Sequence, residues 1–508
     1  MSFHRPYFIN PLLGGADPCI CRGKDGKFYF VVILNDGLGM YCSESLSDPG
    51  KLVKVLELPK DENGNLLVQD IWAPEIHEIR GEYYVYFAAS VGPSVFENWP
   101  NRRMYAAHCK TPDGIYEDMT KLELGEYMAI DGTVLQMPNG DLYMVFMRCE
   151  SPCKTPPEDP SLNHNKLFIV KMKDPLTIEG EPVELTRPEY PWETTITEGA
   201  FPLIHDDRIY LIYSGNYAHV PGYCIGLLTC LDPEHPLDKK SWVKSPEPVF
   251  KSFGNAYGTG HASIVKSADG TEDWLIYHSK YDEADTLPEG WNRIVNAKKI
   301  DWNEDGTPNF GTPPQYGEKV LLPSGENDLW EEGGNWSGNL QELADMLQPY
   351  SYWAEQVSMP QEDCICCHVY NSARYATKAL FRKYEWVDAQ ITASLSADTA
   401  ERETGLVARA SYAYAGDNRF DGYMALIKGD HIAIYRVDGE ERTELAAGVC
   451  RKTEDTFEMA FCAKGDKLTV SVNGEELISV CDSTYPHGRM GFYCEADTTI
   501  YSAEIKLC

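Results

Sequence analysis

The sequence predicts an all-β protein: a five-bladed β-propeller followed by a C-terminal β-sandwich. Three observations predict it. A hairpin pattern recurs five times, no long helical periodicity separates the copies, and apolar/polar alternation returns beyond a Pro/Gly-rich stretch.

The five copies are "DPCICRGKDGKFYFVV" from Asp17, "PEIHEIRGEYYVYF" from Pro74, "DGTVLQMPNGDLYMVF" from Asp131, "EGAFPLIHDDRIYLIY" from Glu198 and "HASIVKSADGTEDWLIY" from His261. Each opens at or beside a polar side chain, runs through a short apolar segment, breaks at a Gly/Asp/Asn turn and resumes as an aromatic and aliphatic strand, which is the signature of a β-hairpin. The openings Asp17, Glu75, Asp131, Glu198 and His261 are spaced by 58, 56, 67 and 63 residues, a period that suits one four-stranded blade with its loops.

In a propeller the first strand of every blade lines the axis, so residues at one phase of the repeat meet around a single funnel. Any one of these carboxylates could cap a turn or face solvent. Several acids at one phase would repel one another unless function or a counter-ion required them.

Past Gly311 the chain becomes dense in Pro, Gly and Asn, which reads as a linker packed against the propeller. Alternation returns in "WVDAQITASLSA", "YMALIKGDHIAIYRV" and "DKLTVSVNGEELISV", where the Asn473-Gly474 pair signals a hairpin. The expected division is a propeller over 1–322, a linker over 323–349 and a β-sandwich over 350–508.

With 43% hydrophobic residues the chain has the composition of a globular protein, and no apolar run reaches the roughly 18 to 20 residues a membrane span needs. The first residues lack a secretory signal, which leads to the expectation of a cytoplasmic protein. A net charge of -33 disfavours nucleic acid and anionic membranes as partners and favours a neutral substrate. The 16 cysteines are mostly scattered and read as reduced, buried small hydrophobes. The "CICC" cluster at Cys364 to Cys367, followed by His368, could ligate a metal, although adjacent cysteines rarely close a tetrahedral shell. The sequence sets no oligomeric state.

Two carboxylates across a small pocket are what glycosidic bond cleavage requires, one protonated to donate to the leaving oxygen and one ionised to activate water or attack the anomeric carbon. A third carboxylate nearby raises the donor's pKa.

The segments "GGADP" (Gly14 to Pro18), "WAPE" (Trp72 to Glu75), "AIDGT" (Ala129 to Thr133), "ITEGAF" (Ile196 to Phe201) and "GTGHAS" (Gly258 to Ser263) resemble the successive blade motifs of glycoside hydrolase family 43. The resemblance spans about residues 7–322. It implies Asp17 as general base, Glu198 as general acid, Asp131 as the residue that orients and tunes the acid, and a single displacement with inversion. It places Trp72 and Glu75 at the sugar, with Arg293 beside them, and His261 at an axial calcium or similar ion held largely through waters. Many members have proline after the Glu-Gly pair, where this chain has Ala200. By residue type alone, Trp72 could be packing, Arg293 a structural ion-pair partner and His261 a satisfied core histidine.

"GLVARA" (Gly405 to Ala410) and "GRMGFY" (Gly488 to Tyr493) are similar to lectin-like sandwiches appended to propeller glycosidases, which bind sugar or buttress the catalytic domain. The expected activity is exo-acting removal of terminal α-L-arabinofuranosyl units from oligosaccharides. The insertions at 90–103 and 148–166 would supply pocket walls. The alternatives are β-xylosidase, more remotely fructosidase or galactofuranosidase, and from another class a noncatalytic sugar-binding propeller.

Overall fold

The structure is a computed structural model describing residues 1–90, 101–149, 165–281, 292–350, 357–361, 364–367, 376–450 and 456–508. The chain forms two units: Gly15–Tyr316 with Pro323–Glu326, and Met1–Gly14 with Gly317–Leu322 and Asn327–Cys508.

The first unit is the five-bladed propeller. Its five antiparallel sheets, each a run of four consecutive strands, start those runs with Cys19–Arg22, Gln69–Ile79, Met128–Gln136, Thr197–His205 and Tyr257–Lys266 (blades I to V). These five strands neighbour one another in a closed ring, blade V returning to blade I. Each is joined to the next strand by a tight turn. At Arg80-Gly81 and Asp206-Asp207 both turn residues have positive φ, the backbone a two-residue hairpin needs.

Because each blade packs on both faces, its second strand is an unbroken apolar run: all but the first residue of Glu82–Ser90 is buried. The outermost strand of the same blade, Glu117–Lys121, has no buried residue. Two apolar cores fill the spaces between blades. One joins Tyr86, Phe146, Ile169 and Tyr213, and the other joins Val31, Phe87, Ile212 and Tyr277.

Each blade is built on a run of four consecutive strands. Pro323–Glu326 ties the last blade to the first. The Ser324 N–H donates to the Glu272 carboxylate in blade V at 3.0 Å. The Glu326 carboxylate accepts the Ser47 hydroxyl at 2.7 Å and the Leu46 N–H at 2.5 Å from blade I.

The second unit is a β-sandwich. One sheet centres on Ala389–Ala397, Thr498–Leu507 and Thr456–Lys464, the other on Thr404–Ser411, Arg489–Cys494 and Phe420–Lys428. Ile391, Phe461 and Val470 meet Leu406, Ile434 and Phe492 in one core between them. The Asn473-Gly474 hairpin forms, with φ values of 49° and 81°.

The boundaries differ from the expected 1–322, 323–349 and 350–508. Ser2–His4 pairs with Leu329–Glu332, and Tyr7–Ile9 pairs with Lys319–Leu321, so the first 14 residues belong with the sandwich. The expected linker is itself structured, including a short helix, Leu340–Met346, capped by Asn339 and Glu342 in a reciprocal pair. Two-residue and three-residue strands carry too little periodicity to be read from sequence.

Candidate active site

Near the start of every axial strand one residue takes the left-handed backbone conformation: Asp17 (φ 49°), Ala73 (42°), Asp131 (54°), Gly199 (54°) and His261 (42°). In blades II to V the ladder slips register at that point. A bulge of this kind bends the strand and re-aims its side chains. Repeated around the axis, it marks the same point of all five strands.

The backbone register thus runs 17, 73, 131, 199, 261. Glu198 stands one residue ahead of it and Glu75 two residues behind, at the position shared with Cys19, Thr133, Phe201 and Ser263. The extra residue of each bulge is what a sequence alignment cannot place. Glu75 is 5% exposed and pairs with His77 at 2.7 Å, and Ile76 beside it donates its N–H to the Cys19 sulfur. No hydrogen bond or ion pair among the described residues links Glu75 to the Asp17 group.

Asp17, Asp131, Glu198, His261 and Arg293 do converge. Asp17 Oδ1 lies 2.9 Å from Arg293 Nη1 and 3.3 Å from His261 Nδ1. Asp131 is 4% exposed and its Oδ2 accepts the N–H of Gly199, next to Glu198, at 3.2 Å. Gly199 has no room for a side chain: a Cβ there would sit 3.0 Å from His261 Nδ1. The His261 N–H is held by the Ser214 hydroxyl at 2.7 Å.

The surroundings drive the acids apart. Burial opposes ionisation of Asp17, but the Arg293 guanidinium, His261 and His278 overcome it and hold the carboxyl well below the usual range. Glu198 is pushed up to about 7, first by burial and then by the Asp17 charge, against the lowering effects of the Tyr223 hydrogen bond and Arg293. Asp131 is raised to about 8 by burial and by the Glu198 and Asp17 charges, against the pull of His261. Below about pH 7 one carboxylate is therefore ionised while its two neighbours hold protons, the division of labour an acid/base pair needs.

Tyr223 and His278 are site residues that the sequence reading missed. The Tyr223 hydroxyl donates to Glu198 Oε1 at 2.9 Å. His278, fully buried, places Nδ1 3.2 Å from both the backbone nitrogen and Oδ1 of Asp17. The backbone N–H can only donate, so in that contact Nδ1 is the acceptor. Burial lowers the His278 pKa to about 3, which keeps the ring neutral. Both residues lie off the axial strands, at positions that carry no polar phase of the repeat. The one available signal was glycine: Gly260 of "GTGHAS" leaves the space that the Tyr223 ring occupies.

Trp72 is half-buried, bracketed by two register slips, with the buried Arg102 guanidinium stacked 3.5 Å from its ring and Asp70 3.9 Å from that guanidinium. The expected axial ion was one held largely through waters, and among the described residues no direct ligand set is assembled. Calcium takes 6–8 oxygen ligands, whereas His261 offers nitrogen, its Nδ1 faces Asp17, and no three His, Cys, Asp or Glu side chains gather to hold a metal among the described residues. At "CICC" the described residues likewise form no metal cluster, and His368 lies outside them. Most of the two insertions expected as pocket walls also lies outside the described residues.

A family model described as Glycosyl hydrolases family 43 matches residues 8–308. The chain belongs to this family. It is a glycoside hydrolase, and the matched residues cover nearly all of the propeller.

Among its relatives, "Extracellular exo-alpha-(1->5)-L-arabinofuranosidase" of Streptomyces avermitilis is 32% identical over 66% of this chain and 71% of its own length. "Alpha-L-arabinofuranosidase 43" of Humicola insolens is 30% identical over 60% of this chain and 63% of its own. The crystal structure of an alpha-L-arabinofuranosidase from Lactobacillus brevis aligns with a TM-score of 0.53 at 32% identity, covering 61% of this chain and 98% of that one. A xylan beta-1,4-xylosidase from Bacillus halodurans C-125, 14% identical, covers 98% of this chain with a TM-score of 0.53, a likeness of fold.

The comparisons overturn the cytoplasmic expectation. Two relatives from Streptomyces are named extracellular, and the expectation rested only on how the given sequence begins, which is not informative about a leader. No helix among the described residues is long and apolar enough to cross a membrane.

Proposed function

We propose that this chain is an exo-acting α-L-arabinofuranosidase that cleaves terminal arabinofuranosyl units from oligosaccharides with inversion. The observation that carries the reading is the convergence of Asp17, Asp131 and Glu198 with Arg293, His261 and Tyr223, in surroundings that lower the Asp17 pKa and raise that of Glu198. The arabinofuranosidase names of relatives near 30% identity supply the substrate.

Asp17 accepts a proton from water as the water attacks the anomeric carbon. Glu198 donates its proton to the departing oxygen as the glycosidic bond breaks. The product is arabinose of inverted anomeric configuration plus the shortened oligosaccharide, and solvent exchange restores both protonation states. Asp131 fixes the Gly199 N–H beside the acid, while burial and the Asp17 charge favour the protonated form of Glu198. Arg293 and Trp72 contact the bound sugar, Arg293 by hydrogen bonding its hydroxyls and Trp72 by walling the terminal subsite.

Hydrolysis of 4-nitrophenyl α-L-arabinofuranoside, with turnover lost in folded Asp17→Asn and Glu198→Gln proteins, is the expected result. Undiminished turnover in those variants removes the proposal. Faster release from a xylopyranoside than from the furanoside moves the substrate to β-xylosidase. NMR of the first product reads the configuration.

A further inference from the structure

Tyr223 and His278 connect the two ends of the reaction. The Tyr223 hydroxyl donates to Glu198 Oε1 at 2.9 Å. The His278 ring stacks on the Tyr223 ring, with centroids 5.3 Å apart and planes 10° from parallel. His278 Nδ1 in turn accepts the backbone N–H of Asp17 at 3.2 Å. Both rings are fully buried. The stack lies in a slot cut by Gly260, where a Cβ would overlap the Tyr223 ring, and Gly260 is the ladder partner of His278.

We infer that Tyr223 and His278 act as positioning residues: one aromatic pair that sets the proton-bearing oxygen of the acid and the separation of acid from base. The inference rests on the roles given to Asp17 and Glu198 above. A phenol hydroxyl that donates to Oε1 makes that oxygen the acceptor and so favours the acidic proton on Oε2, from which it is given to the leaving oxygen. Burial keeps the phenol itself protonated, so it remains a donor throughout. Inverting cleavage needs room for one water between the carboxyls, and a rigid stack between their anchor points holds that gap.

The test compares the wild-type enzyme with Tyr223→Phe, which keeps the ring and removes the donor, and His278→Phe, which keeps a ring for stacking and removes the acceptor. The groups acting on Glu198 are Tyr223, Asp17 and Arg293, with Asp131 coupled to it and His261 and His278 set against Asp17. A donor to the carboxylate favours the ionised acid, so its loss raises the Glu198 pKa.

Tyr223→Phe is expected to lower kcat by about tenfold to a hundredfold. It is also expected to move the basic limb of the kcat/KM–pH profile upward by about one pH unit. His278→Phe is expected to lower kcat while leaving that limb in place. An active wild type whose limb and kcat are unchanged by Tyr223→Phe overturns the inference alone. A wild type that hydrolyses no furanoside or pyranoside overturns the reading beneath it.

Discussion

Gly199→Ala tests how the site is built, because two separable costs fall on one methyl group. The φ of 54° is left-handed, which costs about 1–2 kcal/mol for a residue with a Cβ. The added Cβ would stand 3.0 to 3.2 Å from three atoms of the His261 ring. That ring is confined by Asp17 on one side and by the Ser214 hold on its backbone on another, so it yields poorly. Overpacking of this kind adds about 1–3 kcal/mol.

Together these lower the unfolding midpoint of the propeller by something on the order of 10 °C. They also displace His261 from Asp17 and reduce kcat/KM by at least about tenfold. Gly140→Ala separates the two costs, since Gly140 has a φ of 88° with nothing within 4 Å of its Cβ position. It should lose only the backbone cost of about 1–2 kcal/mol and retain full activity. Calorimetry and steady-state kinetics on both variants read the difference. Equal Tm losses for the two, with wild-type kinetics for Gly199→Ala, would refute the reasoning.

Arg293→Gln removes the guanidinium beside Asp17, so the Asp17 pKa rises and an acidic limb, absent from the wild-type profile above pH 4, appears in kcat/KM. Glu326→Ala leaves the Leu46 N–H and the Ser47 hydroxyl without their acceptor and should cost on the order of 3 kcal/mol of propeller stability in denaturant titration, with kcat/KM per folded molecule unchanged. The raised pKa values of Glu198 and Asp131 mean that ionising them costs stability. The propeller should therefore lose thermal stability as pH rises from about 5 through 7 to 8, and Glu198→Gln should flatten that decline. Asp17 acts in the opposite sense: its pKa is depressed, so its contribution is present above its ordinary value near 3.8 and is lost as pH falls below it.

The propeller was legible in the sequence because each blade repeats an aromatic second strand such as "EYYVYF", buried on both faces, after a turn with fixed backbone demands. The three acids were legible for the same reason: the repeat carries them to the axis. The bulges were not. An inserted residue leaves no compositional mark, so Glu75 was assigned the phase of Asp17, when the left-handed residue of blade II is Ala73. Tyr223 and His278 escaped because they reach the site from other strands of blades IV and V through contacts of long sequence separation. The domain boundary was misplaced because Ser2–His4 and Tyr7–Ile9 find partners more than 300 residues away.

The central claim is that one cavity holds an ionised Asp17 and a protonated Glu198 at the same pH. The most direct measurement is the kcat/KM–pH profile of the wild-type enzyme on an arabino-oligosaccharide, whose leaving group depends on the acid. The account predicts a plateau from about pH 4.5 to 6.5 and a fall through about 7 to 8. A profile that declines on acidification below pH 6 and stays flat to pH 9 would contradict it.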